Sequence, residues 1–203
     1  MKYTLLLPFI LVLLLGCQRP ASQQAVAGDI AFLSREAWGA NAPVLPMRSH
    51  TLTRLTIHHT ATKQLPHRTL TDKMRALQKF SQEESLLWDG RTKPQWADIP
   101  YHMYIDCHGQ VAEGRDLGYA GDSNTSYDPA GHLLVVVEGN FEEEPITSAQ
   151  MKTLNRLVPA LAKRYNIPAD SLGGHLDFAQ TQCPGKGLYD MLPHFRELVA
   201  RNK

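Results

Sequence analysis

The chain has 203 residues, of which 43% are hydrophobic and 20% charged, proportions of a soluble globular protein built around one core. Lys plus Arg number 21 against 20 for Asp plus Glu, so the summed charge gives no reason to expect nucleic acid as a partner or general adhesion to anionic surfaces. Repeats and low-complexity stretches are absent from the sequence, and partners must be sought in a site.

In chain order, the first element is an export signal. Lys2 precedes an apolar run from Leu5 to Leu15, which stops at Gly16-Cys17 and gives way to the polar stretch Gln18 to Gln24. At about 1.5 Å per helical residue that run reaches about half of a ~30 Å hydrocarbon layer, too short to span it. Leu14-Leu15-Gly16-Cys17 resembles the lipobox of bacterial lipoproteins, which implies cleavage after residue 16 and acylation of Cys17, an anchor to the membrane. Gln18 rather than Asp after the Cys resembles outer-membrane sorting, so the domain is expected to face the periplasm. Cleavage removes Lys2 and takes the formal charge from +1 to about 0. Residues 17–29, rich in Gln, Ala and Ser, read as a flexible tether, and the folded domain is expected over 30–203.

Within the domain, Thr51 to His58 has the composition of a half-buried strand. Met74, Leu77 and Phe80 recur at helical spacing and predict a helix over 71–82. Residues 102–106 and 110–114 flank Cys107-His108-Gly109 as a hairpin. Leu133 to Val137 is too short for an apolar helix and reads as a central strand covered on both faces. Thr147 with Gln150 has the form of a capping box, opening a helix with the stripe Met151, Leu154, Leu157, Val158, Leu161 and Tyr165. Pro159 within that stripe should bend it or mark an irregular turn. A last helix is expected over 189–201. Strands interspersed with helices around one core predict an α/β, or layered α+β, protein.

Nine histidines are a count, not a site; position decides. His58 and His59 close a strand, where neighbouring side chains point to opposite faces, so at most one of them serves a given cavity. His175 and Cys183 lie eight residues apart in a Gly- and Pro-bounded run, a loop long enough for both ends to meet one ion. Two His and one Cys have the ligand count of a catalytic zinc, with the fourth place left for water. HExxH, the common zinc-peptidase helix motif, is absent from the sequence. In an oxidising compartment Cys107 and Cys183 would pair by default; the hairpin position of Cys107 and the metal-like spacing of Cys183 argue against it.

Taken together and in order, several segments resemble the N-acetylmuramoyl-L-alanine amidase family that includes peptidoglycan recognition proteins and phage T7 lysozyme. They are Ser34 to Ala40, Leu55 to Ala61, Asp98 to His102, Val111 to Arg115, Glu138 to Phe141, Ile146 to Gln150, and Gly174 to Gly185. The resemblance runs from about residue 32 to 195. It implies a mixed sheet of about five to six strands flanked by helices, with Zn2+ held by His58, His175 and Cys183 and His59 on the opposite face. It also places Tyr101 and Thr181 in catalytic positions. The bond it implies is the amide between the lactyl group of N-acetylmuramic acid and L-Ala, so the partner is peptidoglycan or muropeptides, and a monomer is expected. The chain departs from the family at two points: Gln180 replaces a frequent Pro, and Val136 stands where one branch has a catalytic Glu, although Glu138 lies two residues on.

Set beside this reading is a module that binds peptidoglycan without cutting it, against which Cys183 and Tyr101 both speak. A thiol-redox lipoprotein using Cys107 and Cys183 has no CxxC in its favour. Of Trp38, Trp88 and Trp96, only Trp96, near Tyr101, is as fit for a sugar groove as for a core. His102, His108 and His132 read as structural or exposed. Asp177 is placed either to orient a ligand ring or to cap a turn.

Overall fold

A computed structural model of the protein describes residues 30–87 and 89–202. The expected signal peptide, the Cys17 anchor, the tether and Trp88 lie outside the described residues. The sheet is assembled from β1 (Phe32–Leu33), β2 (Arg54–His59), β5 (Met103–Ile105), β6 (Val111–Glu113), β7 (His132–Val137) and β8 (Leu172–Gly174). Their order is β1-β6-β5-β7-β2-β8. Only β5 and β6 run antiparallel, as the expected hairpin; β7 lies between β5 and β2, parallel to both. That position, and burial of all six of its residues, accounts for a run of Leu and Val without polar alternation.

Helices cover both faces. On one side lie α1 (Arg35–Trp38) and α2 (Leu70–Gln82), on the other α3 (Ser148–Arg164) and α5 (Leu192–Arg201), the latter preceded by α4 (Lys186–Tyr189). The period-2 rule sorts the strand residues. Leu55, Ile57, Met103, Ile105, Leu133, Val135 and Val137 pack with Leu154, Leu157, Leu161 and Phe195 in the larger cluster. Tyr104, Ala112 and Val136 pack with Trp38, Leu70 and Met74 in the smaller.

The local signals are visible in the atoms. Thr147 accepts from Gln150 N while the Gln150 side chain accepts from Thr147 N, both at 3.0 Å, and Thr69 caps α2 in the same way through Asp72 N. α3 runs through Pro159 without interruption; the residue is buried, and packing holds a turn that propensity alone would weaken. Two short strands, β3 (Ser85–Leu86) and β4 (Thr92–Lys93), form a separate hairpin that the sequence did not announce. Its anchor is Lys93, wholly buried, whose Nζ donates to the carbonyls of Ser81, Glu83 and Pro94 beneath the rings of Phe80 and Trp96.

Candidate metal centre

β2 ends in two histidines with different fates. His58 shares the α2 side with its register partner Val136, whereas His59 points the other way, its ring 6.2 Å from that of Phe141 and its Nδ1 accepting from Phe141 N. Burial drives the His59 pKa down to about 4, with Glu142 opposing weakly. Alternation sends the two rings to opposite faces, and the packing of His59 on Phe141 leaves His58 on the α2 side.

His175 follows β8 directly, and the loop behind it folds back. Leu176 N donates to Cys183 O at 2.8 Å, closing the two ends of the loop on each other. Gly174 makes the approach possible: a Cβ there would stand 2.8 Å from Pro184 Cδ, so any larger residue would push the Cys183-Pro184 pair away from His175. The Cys183–Pro184 peptide is cis. Thr181 Oγ1 accepts from Cys183 N at 3.2 Å and shapes the turn that presents the thiol. Asp177 caps the turn: its carboxylate accepts from Gly174 N at 2.9 Å and from Tyr189 OH at 2.6 Å.

His58, His175 and Cys183 thereby come together from three separate stretches of chain, one donor atom from each lying within 4.8 Å of the others, and all three residues are buried. His58 Nδ1 is 3.6 Å from Cys183 Sγ, and the His58 and His175 rings are 4.6 Å apart. Around one tetrahedral zinc, bonds of about 2.0–2.3 Å would set such donors roughly 3.3–3.8 Å apart, so the spacing needs only a small contraction. Burial, then the neighbouring histidines, hold the His58 pKa well below its ordinary value, and burial takes His175 to about 4. Both imidazoles are consequently neutral with a lone pair to offer. Burial pushes the Cys183 thiol up to about 12, eased by the His59 N–H that donates to its sulfur at 3.4 Å. A divalent cation would reverse that bias toward thiolate. Two neutral imidazoles and a thiol, all buried, suit zinc, a borderline-soft ion that prefers nitrogen and sulfur donors.

Tyr101 packs against this group, its ring 5.2 Å from that of His58. Gly114 lies against its carbonyl, where a Cβ would be 2.1 Å from the oxygen, and Arg115 N donates to that same carbonyl. The buried Arg115 guanidinium then clamps the segment around it, donating to Asp98 O, Ile99 O, Ala120 O and the Asp122 carboxylate. Burial raises the Tyr101 phenol far above its ordinary pKa, so it is a hydrogen-bond donor at neutral pH.

Glu138 is engaged elsewhere. Oε1 accepts from Leu65 N at 2.9 Å, while Oε2 accepts from Cys107 N at 2.7 Å and Lys73 Nζ at 2.8 Å. Burial opposes the charge on Lys73, but the Glu138 hydrogen bond and the charges of Glu138 and Asp106 outweigh it and raise its pKa. Cys107 and Cys183 are both free thiols. Trp38 is fully buried and donates to Glu113 O; Trp96, 9% exposed, borders a cavity of about 350 Å³ shared with Ser123 and Tyr127. His102 and His132 are buried structural residues. His102 accepts from Leu134 N and bonds Tyr119 O, and His132 bonds Thr56 Oγ1.

Sequence reasoning missed the loop from Gly121 to Gly131. Its Tyr127 ring lies 4.8 Å from that of His175, with a buried hydroxyl that lacks a partner among the described residues, and its Thr125 bonds His175 Nε2 at 2.8 Å. A polar stretch without periodicity carries no local sign of where it will lie.

A mixed six-stranded sheet between helix layers is the architecture of peptidoglycan recognition proteins. The structure of drosophila peptidoglycan recognition protein SD superposes with a TM-score of 0.69 at 27% identity, covering 81% of this chain and 94% of that one. Peptidoglycan recognition protein LE, solved in complex with tracheal cytotoxin, a monomeric diaminopimelic acid-type peptidoglycan, gives 0.66 at 26% identity over 81% and 93%. In sequence, the human and mouse N-acetylmuramoyl-L-alanine amidases are each 29% identical, over 71% and 86% of this chain. The chain spans only 25% and 33% of the length of those two proteins. The family model described as N-acetylmuramoyl-L-alanine amidase matches residues 48–186, and the chain belongs to that family.

Proposed function

We infer that this protein is a zinc-dependent N-acetylmuramoyl-L-alanine amidase, cutting the amide between the lactyl group of N-acetylmuramic acid and L-Ala of the stem peptide. The observation that carries the reading is the convergence of His58, His175 and Cys183, three buried donors of the kind zinc prefers, within 4.8 Å of one another. When bound, zinc supplies Lewis acidity toward a water and toward the scissile carbonyl. The chain's own residues do the rest. His58 and His175 bring neutral lone pairs, and the His59 N–H steadies negative charge on Cys183 Sγ. Tyr101, a neutral phenol beside His58, donates to the oxygen on which negative charge grows. Thr181 spends an oxygen lone pair on Cys183 N, which leaves its hydroxyl proton for a second such bond. Glu138, held by Lys73 and two backbone N–H groups, does not act as the base.

Anchoring through an acylated Cys17, on the periplasmic side of an outer membrane, belongs to the same proposal and rests on the sequence alone. Intact-mass analysis of the protein from a membrane fraction checks it: an unmodified chain retaining residues 1–16 would contradict it.

Metal analysis of the purified protein, with release of stem peptides from purified sacculi, tests the catalytic reading. The expected result is one zinc per chain and new N-terminal L-Ala, both lost together in Cys183→Ser. A protein that binds sacculi, contains no zinc and releases no L-Ala would instead be a recognition module.

A further inference from the structure

His175 has two ring nitrogens, and only one of them can serve a metal. Nε2 is taken, because Thr125 Oγ1 lies 2.8 Å from it. Thr125 Oγ1 is in turn 2.7 Å from Ser123 Oγ, and the Ser123 hydroxyl also receives the Thr125 N–H at 3.1 Å. The segment carrying these hydroxyls is pinned on several sides: Asp122 by the buried Arg115, Asn124 O by Arg91 at 3.2 Å, and Asp128 by Arg48. The Tyr127 ring backs the imidazole. The carboxylate nearest in sequence, Asp177, is committed to Gly174 N and Tyr189.

From this geometry we propose that Thr125, steadied by Ser123, is the positioning residue that sets the tautomer and ring orientation of His175, so that Nδ1 carries the lone pair offered to the metal. This rests on the reading of His175 as a zinc ligand. The chain of donors runs one way: Nε2–H donates to Thr125 Oγ1, and the Thr125 hydroxyl donates to Ser123 Oγ. Metal-bound imidazoles gain both orientation and basicity from such a partner on the other nitrogen, and loss of the partner typically costs about 10–100-fold in metal affinity. A hydroxyl is a weaker acceptor than a carboxylate, so the effect should fall in the lower half of that range.

The test is zinc affinity of the full chain, measured by competition with a chelator of known affinity, for wild type, Thr125→Val, Thr125→Ser, Ser123→Ala and His175→Ala. Thr125→Val keeps the shape and removes the hydroxyl; it is expected to weaken zinc by roughly 10–30-fold, while Thr125→Ser stays near wild type. The thermal midpoint of the zinc-free Thr125→Val protein should match that of zinc-free wild type, which a purely structural role would not allow. Ser123→Ala should weaken zinc by a smaller factor, and it carries the test should Thr125→Val not fold. Undiminished affinity in Thr125→Val and Ser123→Ala, with affinity lost in His175→Ala, would overturn the role of Thr125 and leave the metal reading standing. Wild type that binds no zinc would overturn both.

Discussion

The two faces of the sheet are built from the same strands and do different work. On the α3 and α5 side, strand residues meet Leu154, Leu157, Val158, Leu161 and Phe195, and the contact is apolar almost throughout. On the α2 side the apolar cluster is small, and its buried positions include the His58, His175 and Cys183 group and the Lys73, Asp106 and Glu138 group. Adjacent residues show the division most sharply: His59 packs into the apolar side and His58 enters the site. One face supplies cohesion that offsets the cost of burying polar groups on the other.

Substitution of the paired histidines should break this comparison most visibly. His58→Ala is expected to lower zinc affinity by more than about 100-fold, beyond what loss of an outer partner causes, and His59→Ala to leave zinc bound with reduced stability; chelator competition and urea unfolding read the two effects. Next in size is the buried ion pair. Lys73→Met leaves Glu138 buried without its cation and should cost about 3–5 kcal/mol in unfolding free energy, and adding Glu138→Gln, which removes the unpaired charge and keeps an acceptor for a backbone N–H, should recover part of it. On the apolar face, Leu157→Ala should cost about 2–5 kcal/mol with zinc affinity unchanged at temperatures where the protein stays folded. If it weakened zinc as much as His58→Ala does, the separation of roles would fail.

Acid sharpens the same contrast. His102 is fully buried, and burial takes its pKa from 6.5 down to about 3, with Nδ1 accepting from Leu134 N. The unfolded chain binds this proton below about pH 6.5 and the folded one only near 3, so the stability of zinc-free protein should decline as pH falls through that window, by on the order of a few kcal/mol from this residue. Urea unfolding across pH 3–7 checks it, and a flat profile would contradict the buried neutral imidazole. The smallest effect concerns the capping box: Thr147→Ala should cost about 1 kcal/mol, seen as a lower thermal midpoint with activity retained.

Much of this was legible in the sequence because local physics announces it. The α3 capping box, the helical spacing in α2, the hairpin around Cys107 and the apolar β7 run each carry their own signal within a few residues. The pairing of His58 with His175 and Cys183 was legible only with the family resemblance, since alternation alone leaves His58 and His59 equivalent until the core chooses a face. β1 and β8, two and three residues long, exist through pairing with neighbours and have no pattern of their own. Thr125 and Tyr127 reach the site because Arg115, Arg91 and Arg48 fix the loop that bears them, contacts distant in sequence. Nothing local marks Lys73 for burial, since its carboxylate partner Glu138 lies 65 positions away.

Zinc-edge X-ray absorption on the purified protein tests the central claim most directly. The expected spectrum contains one sulfur at about 2.3 Å and two imidazole nitrogens at about 2.0–2.1 Å, with a light oxygen scatterer completing four-coordination, and the sulfur contribution vanishes in Cys183→Ser. A zinc with no sulfur neighbour, or with four protein ligands and no place for water, would contradict it.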